Sequence, residues 1–304
     1  MRALFKITTT LPLLILMSLL TFVSFSTCAE QDKEKTNTSK SDQVDKKNIV
    51  VPPPISLEQQ HKNDLKHYIP ANTVTSILAG PNDYLTLIKK NTSANAKGAV
   101  ILFPGWQQGA ADPKAINFLR HAMAKQGWTT ISIQPPNKPQ SFPSIAPSKE
   151  KQKKENETNL SEYKIKLSAL NTALYAKAKE YPGLVIVIAQ GNVGAMLVDL
   201  YDQGDKPPNG LILLSSHKFN SHILMNDSNR NFAEKLAVSK YPILDLYLKY
   251  DHPIVISKAP ERLALASQKM KVYYRQRQLN NTVAGFYPEQ ALLSQINGWL
   301  KSIR

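Results

Sequence analysis

The chain has 304 residues and a formal net charge of +15 at pH 7, from 38 lysines and arginines against 23 aspartates and glutamates. A single cysteine, Cys28, excludes a disulfide framework within the chain and a thiolate metal site. The lysines are scattered and no basic motif interleaved with aromatic residues occurs, so nucleic acid is not a predicted partner. Solubility is the simpler explanation of the charge, and peripheral contact with an anionic envelope surface is the alternative.

Residues 1–29 have the order of a secretory signal. Arg2 and Lys6 precede an apolar stretch over residues 11–25, and small residues lead to Ala29. A charged, an apolar and a small-residue region in that order are typical of a signal peptide. We therefore expect cleavage after Ala29 and export to the periplasm or the outside of the cell.

Two other interpretations of this segment stay open. An uncleaved membrane anchor is disfavoured because the apolar part is shorter than the roughly 20 residues that span a bilayer. A lipoprotein would retain Cys28 as its acylated first residue. Phe25 and Thr27 are poor residues in front of a lipidated cysteine, so this alternative is also less favoured than cleavage.

The rest of the chain divides by composition. Residues 30–54 are polar and end in a run of prolines, which predicts a disordered tether with a stiff end. Residues 55–304 are about the size of one α/β domain. Within them, residues 135–159 are rich in proline and then in lysine and glutamate, and they predict a mobile surface insertion rather than a rigid lid.

Apolar runs alternate with helical patterns along the predicted domain. The predicted strands cover residues 99–103, 128–133, 184–188, 211–214, 243–248 and 272–278. The predicted helices cover residues 115–126, 161–180, 193–201, 260–269 and 288–302. Such alternation is typical of an α/β fold: a mostly parallel sheet of about six to eight strands with helices on both faces.

The segment over residues 184–196 carries the most informative pattern. An apolar strand is followed by a turn of small residues around Gly191 and then by a helical pattern. This is the context of a nucleophile elbow, in which small neighbours allow a turn sharp enough to expose the central side chain. Gly191 occupies the central position and has no side chain to expose.

The pattern as a whole resembles a family of uncharacterised bacterial exported proteins related to the α/β-hydrolases. The segments that carry the resemblance are residues 99–106, 119–120, 127–130, 134–136, 191–195, 244–247, 251–253, 274–276 and 298–300. The order and spacing of these segments span most of residues 55–304. The resemblance implies an α/β-hydrolase-like fold with no established activity.

Hydrolase chemistry on this fold needs a nucleophile, a histidine base and an acid that orients it. The resemblance places the acid after the strand over residues 243–248, where Asp251 stands, and the base in the loop over residues 279–286, which contains no histidine. The loop after the first core strand could expose N–H groups at Gly105 and Gly109. A sharp turn explains these two glycines more simply.

Other residues are weak candidates for catalysis. Ser215 and Ser216 end the strand over residues 211–214, at the carboxyl edge where α/β sheets bind ligands. His252, beside Asp251, could act as a base or a ligand, although a histidine in a loop is more often structural. No two histidines have zinc-type spacing, so neither a metal nor another cofactor is predicted.

Two functions follow from these residues. The favoured one is an exported α/β-hydrolase-like protein without catalysis, which binds an unknown envelope ligand or protein through Trp106, Gln190, Asp251 and His252. The alternative is a weak or unusual periplasmic ester or amide hydrolase that uses Ser215 or Ser216. Fold resemblance alone does not decide between them, because function belongs to the site.

Overall fold

The computed structural model describes residues 53–219 and 225–303. The predicted signal peptide, Cys28 and the tether up to residue 52 lie outside the described residues. Residues 53 and 54, the end of the predicted tether, are exposed and precede the first helix. Within the described ranges, no helix combines the length and apolarity that crossing a membrane requires.

Eight strands form one sheet, and seven α-helices accompany it in the described part of the chain. The strands are β1 (Val74–Ala79), β2 (Asn82–Lys89), β3 (Gly98–Phe103), β4 (Trp128–Ile133), β5 (Leu184–Gln190), β6 (Gly210–Leu214), β7 (Ile243–Leu248) and β8 (Tyr274–Leu279). The helices are α1 (Leu57–Tyr68), α2 (Ile116–Lys125), α3 (Lys149–Ala178), α4 (Gly191–Asp202), α5 (Met225–Val238), α6 (Pro253–Gln268) and α7 (Glu289–Ser302). A short 3₁₀ turn, Ala71–Thr73, leads into β1.

The strand order is β1-β2-β4-β3-β5-β6-β7-β8. The six strands from β4 to β8 in this order pair in parallel, whereas β1 with β2 and β2 with β4 pair antiparallel. The central strand β3 aligns Ile101 with Ile131 on one side and with Val187 on the other. The predicted mostly parallel sheet is therefore confirmed.

Alternate residues of the central strands face opposite sides of the sheet. In β3, Ala99, Ile101 and Phe103 pack into one hydrophobic core with α3, α4 and α5. Val100 and Leu102 pack into the other core with α2 and α7. Because successive side chains of a strand point to opposite faces, an unbroken apolar run requires cover on both. The prediction of helices on both faces is confirmed.

The long helix α3 differs most from the sequence-based expectation. It begins at Lys149 rather than near residue 161, so part of the segment predicted as an irregular insertion is helical. Ser148 caps its N-terminus by accepting a hydrogen bond from the Lys151 N–H at 3.2 Å. The first turns are highly polar and lack an apolar stripe, which is why their sequence pattern did not indicate a helix. The preceding loop is anchored by Phe142, which is 2% exposed.

A buried ion pair joins α6 to the sheet. Arg262 Nε donates to Asp245 Oδ2 at 2.7 Å, and both side chains are at most 1% exposed. Tyr274 donates its hydroxyl to the same oxygen at 2.8 Å, and Gln276 Nε2 donates to it at 2.9 Å. Burial opposes the guanidinium charge, but the Asp245 carboxylate raises the pKa of Arg262. The charges are thus paired inside the protein.

A second polar cluster fastens α4 to its neighbours. Asp199 is 2% exposed and accepts from Lys164 at 2.8 Å, from Lys218 at 2.8 Å and from Lys235 at 3.0 Å. Burial opposes ionisation, yet the Lys218 and Lys164 ammonium groups lower the pKa of Asp199 from 3.8 to about 2. One carboxylate therefore links α3, α5 and the loop after β6 to α4.

We expect Asp199→Asn to lower the free energy of unfolding at pH 6 by about 2 kcal/mol, because the lowering of the Asp199 pKa on folding corresponds to a free energy of that size. The folded-state pKa is depressed, so this stabilisation is present above the unfolded pKa and is lost as the pH falls toward 2. The difference from wild type should shrink by about 1 kcal/mol between pH 6 and pH 3 in urea unfolding. The control is Asp202→Asn, whose side chain is 45% exposed and pairs with Lys235. Equal losses in the two variants would contradict this role of Asp199.

Candidate functional site

The carboxyl ends of the parallel strands surround one pocket of about 610 Å³. Its wall is built by the loops that follow β3, β4, β5, β6, β7 and β8. Six of the predicted site residues line it: Trp106, Gln190, Gly191, Ser215, Asp251 and His252. Carboxyl ends of parallel strands lie at the same edge of a sheet, which is why residues far apart in sequence meet here.

Gly191 lies at the turn from β5 into α4, as the sequence predicted. Its φ is +57°, a left-handed conformation that favours glycine. A Cβ added at this position would meet no atom within 4 Å, and Gly191 itself lines the pocket. The turn thus has the conformation and the space for an exposed side chain, and the chain supplies none.

Ser215 is held in a compact hydrogen-bond cluster. Its hydroxyl donates to Asp251 Oδ2 at 2.5 Å and lies 2.5 Å from the hydroxyl of Tyr287. Asp251 also accepts from the backbone N–H groups of Leu248, at 2.9 Å, and His252, at 2.7 Å. Burial, and then the Asp251 charge, raise the pKa of Tyr287. The Ser215 hydroxyl makes no hydrogen bond to a histidine among the described residues.

Two imidazoles stack beside this cluster. The rings of His217 and His252 have centroids 4.8 Å apart and an interplanar angle of 11°. Nδ1 of His217 lies 3.0 Å from the Ser215 carbonyl, and Nδ1 of His252 accepts from the Ile254 N–H at 3.3 Å. Burial lowers the pKa of His217. His252 also caps the N-terminus of α6 through its side chain, so it has a structural role as well as a place in the pocket wall.

The structure corrects the placement of Ser216. This residue is 0% exposed and does not line the pocket. Its hydroxyl donates to the Ala189 carbonyl of β5 at 3.4 Å and lies 2.2 Å from the position that a Cβ on Gly194 would take. Ser215, with a φ of +51°, turns the chain so that the two adjacent serines have different environments. Ser216 is packed in the interior and is removed as a candidate nucleophile.

The loop after β3 is also less open than the sequence suggested. The Gly105 N–H donates to the side-chain Oε1 of Gln108 at 2.8 Å, so this candidate oxyanion donor already has a partner. Gly109 lines a neighbouring cavity beside α1 rather than the main pocket. An acyl-transfer site needs free donors at the position of the developing oxyanion. The Gly105 N–H is therefore not a free donor for an oxyanion.

Trp106 forms both a pocket wall and part of the core. It is 7% exposed and packs edge-on against Phe142 and Tyr163, with centroids 5.5 and 5.6 Å away. Phe219, which is 36% exposed, continues this aromatic wall at 6.4 Å from Trp106. The predicted aromatic wall is therefore present, and its inner side is anchored in the hydrophobic core.

The loop over residues 279–286 lies at the pocket, as expected for the loop that would carry a base. Ala284 and Gly285 line the pocket. Asn281 accepts from the Tyr250 N–H at 2.8 Å and donates to the Tyr250 carbonyl at 3.1 Å, which ties this loop to the Asp251 loop. The loop contains no histidine, so its side chains offer no imidazole base.

Several pocket residues escaped the sequence analysis. Lys114, Lys138, Asn192 and Phe219 line the pocket, and Tyr287 contacts Ser215 from the segment before α7. Asn192 and Phe219 follow β5 and β6. The general location of ligand sites at the carboxyl ends of parallel strands could therefore have identified them. Lys114, Lys138 and Tyr287 lie farther along the loops that follow β3, β4 and β8, where no local pattern indicates the pocket. Within the described ranges, no cluster of three histidine, cysteine or acidic side chains could hold a metal ion.

Several solved hydrolase structures have a fold similar to that of this chain. No curated protein is significantly similar in sequence. Est1E from Butyrivibrio proteoclasticus is 10% identical with a TM-score of 0.54, and the match covers 76% of this chain and 98% of that chain. Dienelactone hydrolase from Anabaena variabilis is 12% identical with a TM-score of 0.52, over 75% and 96% of the two chains. A putative lipase from Acinetobacter baumannii is 13% identical with a TM-score of 0.52, over 84% and 98%.

Identities this low show that the folds are similar, and they do not show that this chain shares the activities of those proteins. The chain therefore has an α/β-hydrolase-like fold. The family model of a protein of unknown function, DUF3530, matches residues 11–302. Because that match spans nearly the whole sequence, the chain belongs to the DUF3530 family.

Proposed function

We propose that this protein is an α/β-hydrolase-like binding protein without hydrolase activity. The observation that carries the proposal is Gly191, which stands at the elbow turn with a φ of +57° and open space where a side chain would project. An elbow exposes a nucleophile at this place. Here the backbone geometry is retained and the attacking atom is missing.

The other parts of the site support the same function. The loop over residues 279–286 reaches the pocket but offers no imidazole, and the Gly105 N–H is occupied by Gln108. Asp251 is ionisable and well hydrogen-bonded, but an acid that orients no histidine generates no nucleophile. The pocket itself remains, with an aromatic wall and polar groups that suit ligand recognition.

The alternative is a hydrolase that uses Ser215. This residue lines the pocket, and its hydroxyl is 2.5 Å from a carboxylate. Activation of a serine normally relies on a neighbouring general base that takes its proton, and Asp251 is already engaged by the backbone N–H groups of Leu248 and His252 as well as by Ser215. The geometry fits a structural link between Ser215, Asp251 and Tyr287 better than an activated nucleophile.

The place of action and the partners are also part of the proposal. The signal-like segment over residues 1–29 supports export to the periplasm or beyond, with cleavage favoured over a lipid anchor on Cys28. In that compartment the pocket would bind an envelope ligand or protein. The net charge of +15 supports a peripheral contact with anionic envelope material.

Ester turnover by the purified protein lacking residues 1–29 tests this function. We expect no hydrolysis of short-chain p-nitrophenyl esters above the rate in buffer, because neither an elbow nucleophile nor a base is available. Two variants make the test specific: Ser215→Ala, in the pocket, and Ser257→Ala, an exposed serine of α6 outside it. If the protein hydrolyses these esters, and if Ser215→Ala abolishes the turnover while Ser257→Ala retains it, the protein is a hydrolase that uses Ser215.

A further inference from the structure

The loops that precede the six parallel strands form the edge of the sheet opposite the pocket. They cover residues 90–97, 126–127, 179–183, 203–209, 239–242 and 269–273. Backbone hydrogen bonds link neighbouring strands along this edge: from the N–H of Lys97 to the carbonyl of Gly127 at 2.8 Å, from Leu184 to Lys97 at 3.0 Å, from Asn209 to Val185 at 2.8 Å, from Leu211 to Pro242 at 2.9 Å and from Ile243 to Tyr273 at 2.8 Å. The six loops therefore form one continuous row, the amino-terminal edge, roughly 24 Å long at about 4.8 Å per strand.

The amino-terminal edge carries unpaired positive charge. Its loops contain seven lysines and two acidic residues. Glu180 accepts from Lys177 at 2.7 Å and Asp205 accepts from Ser168 at 2.9 Å, so both carboxylates are already engaged. Five of the lysines are exposed and have no ion-pair partner in the described part of the chain: Lys90, Lys179, Lys206, Lys240 and Lys269. Such a row of cations attracts an anionic surface.

Helix dipoles explain only part of this charge. Cations are favoured beside helix C-termini. Lys179 and Lys269 directly follow α3 and α6, but Lys90 follows a strand and Lys206 lies four residues beyond α4. The edge thus has more positive charge than the helix ends account for.

The loop over residues 269–273 adds apolar side chains to these cations. Three of its side chains are strongly exposed: Met270 by 84%, Val272 by 83% and Tyr273 by 58%. The loop is anchored where Lys271 Nζ donates to the Tyr241 carbonyl at 3.1 Å. Apolar and aromatic side chains beside lysines are typical of protein segments that enter the surface of a lipid bilayer. Contact with lipid would remove these apolar groups from water.

We infer that the amino-terminal edge docks on an anionic phospholipid bilayer. The exposed lysines contact lipid phosphates, and the loop over residues 269–273 places its apolar side chains among the head groups and the upper acyl chains. The pocket then lies on the side of the sheet away from the bilayer. This inference rests on the proposed contact with anionic envelope material and names the surface that makes the contact.

Two other occupants suit this surface less well. A second copy of the chain would pair through the edge strand β8, where the exposed Arg275 and Arg277 of both copies would meet. Like charges across a strand pair are destabilising, and no acidic residue occurs between Glu261 and Glu289 to offset them. A soluble polyanion would satisfy the lysines but leave the three apolar side chains in water. A bilayer satisfies both.

Flotation with lipid vesicles tests the inference on the protein lacking residues 1–29. This truncation leaves every described helix and strand in place, and residues 30–52 add no net charge, with five lysines and five acidic residues. We expect at least about tenfold stronger partition onto phosphatidylcholine vesicles with about 30% phosphatidylglycerol than onto phosphatidylcholine alone. Most of that partition should be lost when NaCl rises from about 50 to about 500 mM. Equal partition onto the two vesicles, or binding to neither, would overturn the inference.

Paired lysine variants locate the contact. Lys240→Gln with Lys269→Gln should weaken partition by about tenfold or more, since each lysine at an anionic surface contributes about 1 kcal/mol. Lys149→Gln with Lys154→Gln makes the same change in net charge at exposed positions of α3, and it should weaken partition by less than about threefold. Equal losses in the two double variants would mean that net charge rather than this edge attracts the vesicle, which would contradict the assignment.

Met270→Gln tests the apolar loop at nearly constant side-chain volume. We expect partition onto the anionic vesicles to fall by about threefold or more, because an apolar group that enters the lipid is replaced by a polar one. The control is Ile145→Gln, which is 97% exposed between β4 and α3 and should bind as wild type does. Both variants should keep the wild-type Tm, since the two side chains are largely in solvent.

Two results would assign the surface to another occupant and overturn the inference. If Met270→Gln binds like wild type and heparin displaces the protein from vesicles, the edge takes a soluble polyanion. If sedimentation shows a wild-type dimer that Met270→Gln abolishes, the edge takes a second copy of the chain.

The ester assay keeps this inference separate from the non-catalytic assignment. If esters are turned over through Ser215 and the vesicles are bound as described, only the non-catalytic assignment fails. If no ester is turned over and the vesicles are not bound, only the docking surface fails.

Discussion

Arg262→Met should lower the free energy of unfolding by about 3–5 kcal/mol, the largest effect that we expect from a single substitution in the described core. The guanidinium is 1% exposed and bonds Asp245 at 2.7 Å. Its removal leaves a buried carboxylate with only the neutral donors Tyr274 and Gln276. The measurement is equilibrium unfolding in urea at pH 7.

Two further variants make this prediction specific to charge. Asp245→Asn in the Arg262→Met background should recover a large part of the loss, because the amide is neutral and its oxygen still accepts from Tyr274 and Gln276. Arg275→Met, on an exposed position of the edge strand β8, should change stability by no more than about 0.5 kcal/mol. If the double variant is no more stable than Arg262→Met, packing rather than unpaired charge explains the loss.

Gly98→Ala should destabilise the protein by about 3 kcal/mol or more and should greatly reduce its soluble yield. Gly98 begins β3 with a φ of +126°, and a Cβ there would lie 2.0 Å from the Leu184 carbonyl oxygen of the paired strand β5. The obstacle is backbone in the middle of the sheet, which cannot move without breaking the pairing of β3 with β5. Urea unfolding of whatever protein is recovered measures the loss.

Gly191→Ala is the matched control for that substitution. Gly191 also has a positive φ, but nothing lies within 4 Å of the added Cβ. Only the left-handed conformation is then unfavourable, so we expect a loss of about 1–2 kcal/mol. A loss at Gly191 as large as that at Gly98 would mean that the elbow has no room for a side chain, which would contradict its description as an open turn.

The sheet was predictable because its central strands are buried on both faces. Such strands are continuous apolar runs, and the predicted ranges 128–133 and 243–248 coincide with β4 and β7. The hairpin β1–β2 was not predicted, since it is half exposed and its residues mix polar and apolar types. The start of α3 was missed for a similar reason: its first turns are solvated and are held by Ser148 and side-chain pairs such as Lys153–Glu157.

The site was predictable where it follows parallel strands. Gln190, Ser215 and Asp251 reach one pocket because the topology brings strand ends together. Ser216 was placed wrongly, since the left-handed turn at its neighbour is not visible in the residue types. Lys138 and Tyr287 were missed because they approach from an insertion and from the segment before α7, and their positions depend on tertiary packing alone.

Labelling with a fluorophosphonate probe, read by intact mass and peptide mapping, tests the central claim most directly. The probe forms a covalent bond with an activated serine and needs no knowledge of the substrate. An active serine esterase treated in parallel serves as the positive control. The absence of an elbow nucleophile predicts that the folded protein keeps its unmodified mass under conditions that label the control completely. A stoichiometric adduct on Ser215, lost when the protein is unfolded before treatment, would contradict the account and establish a catalytic serine.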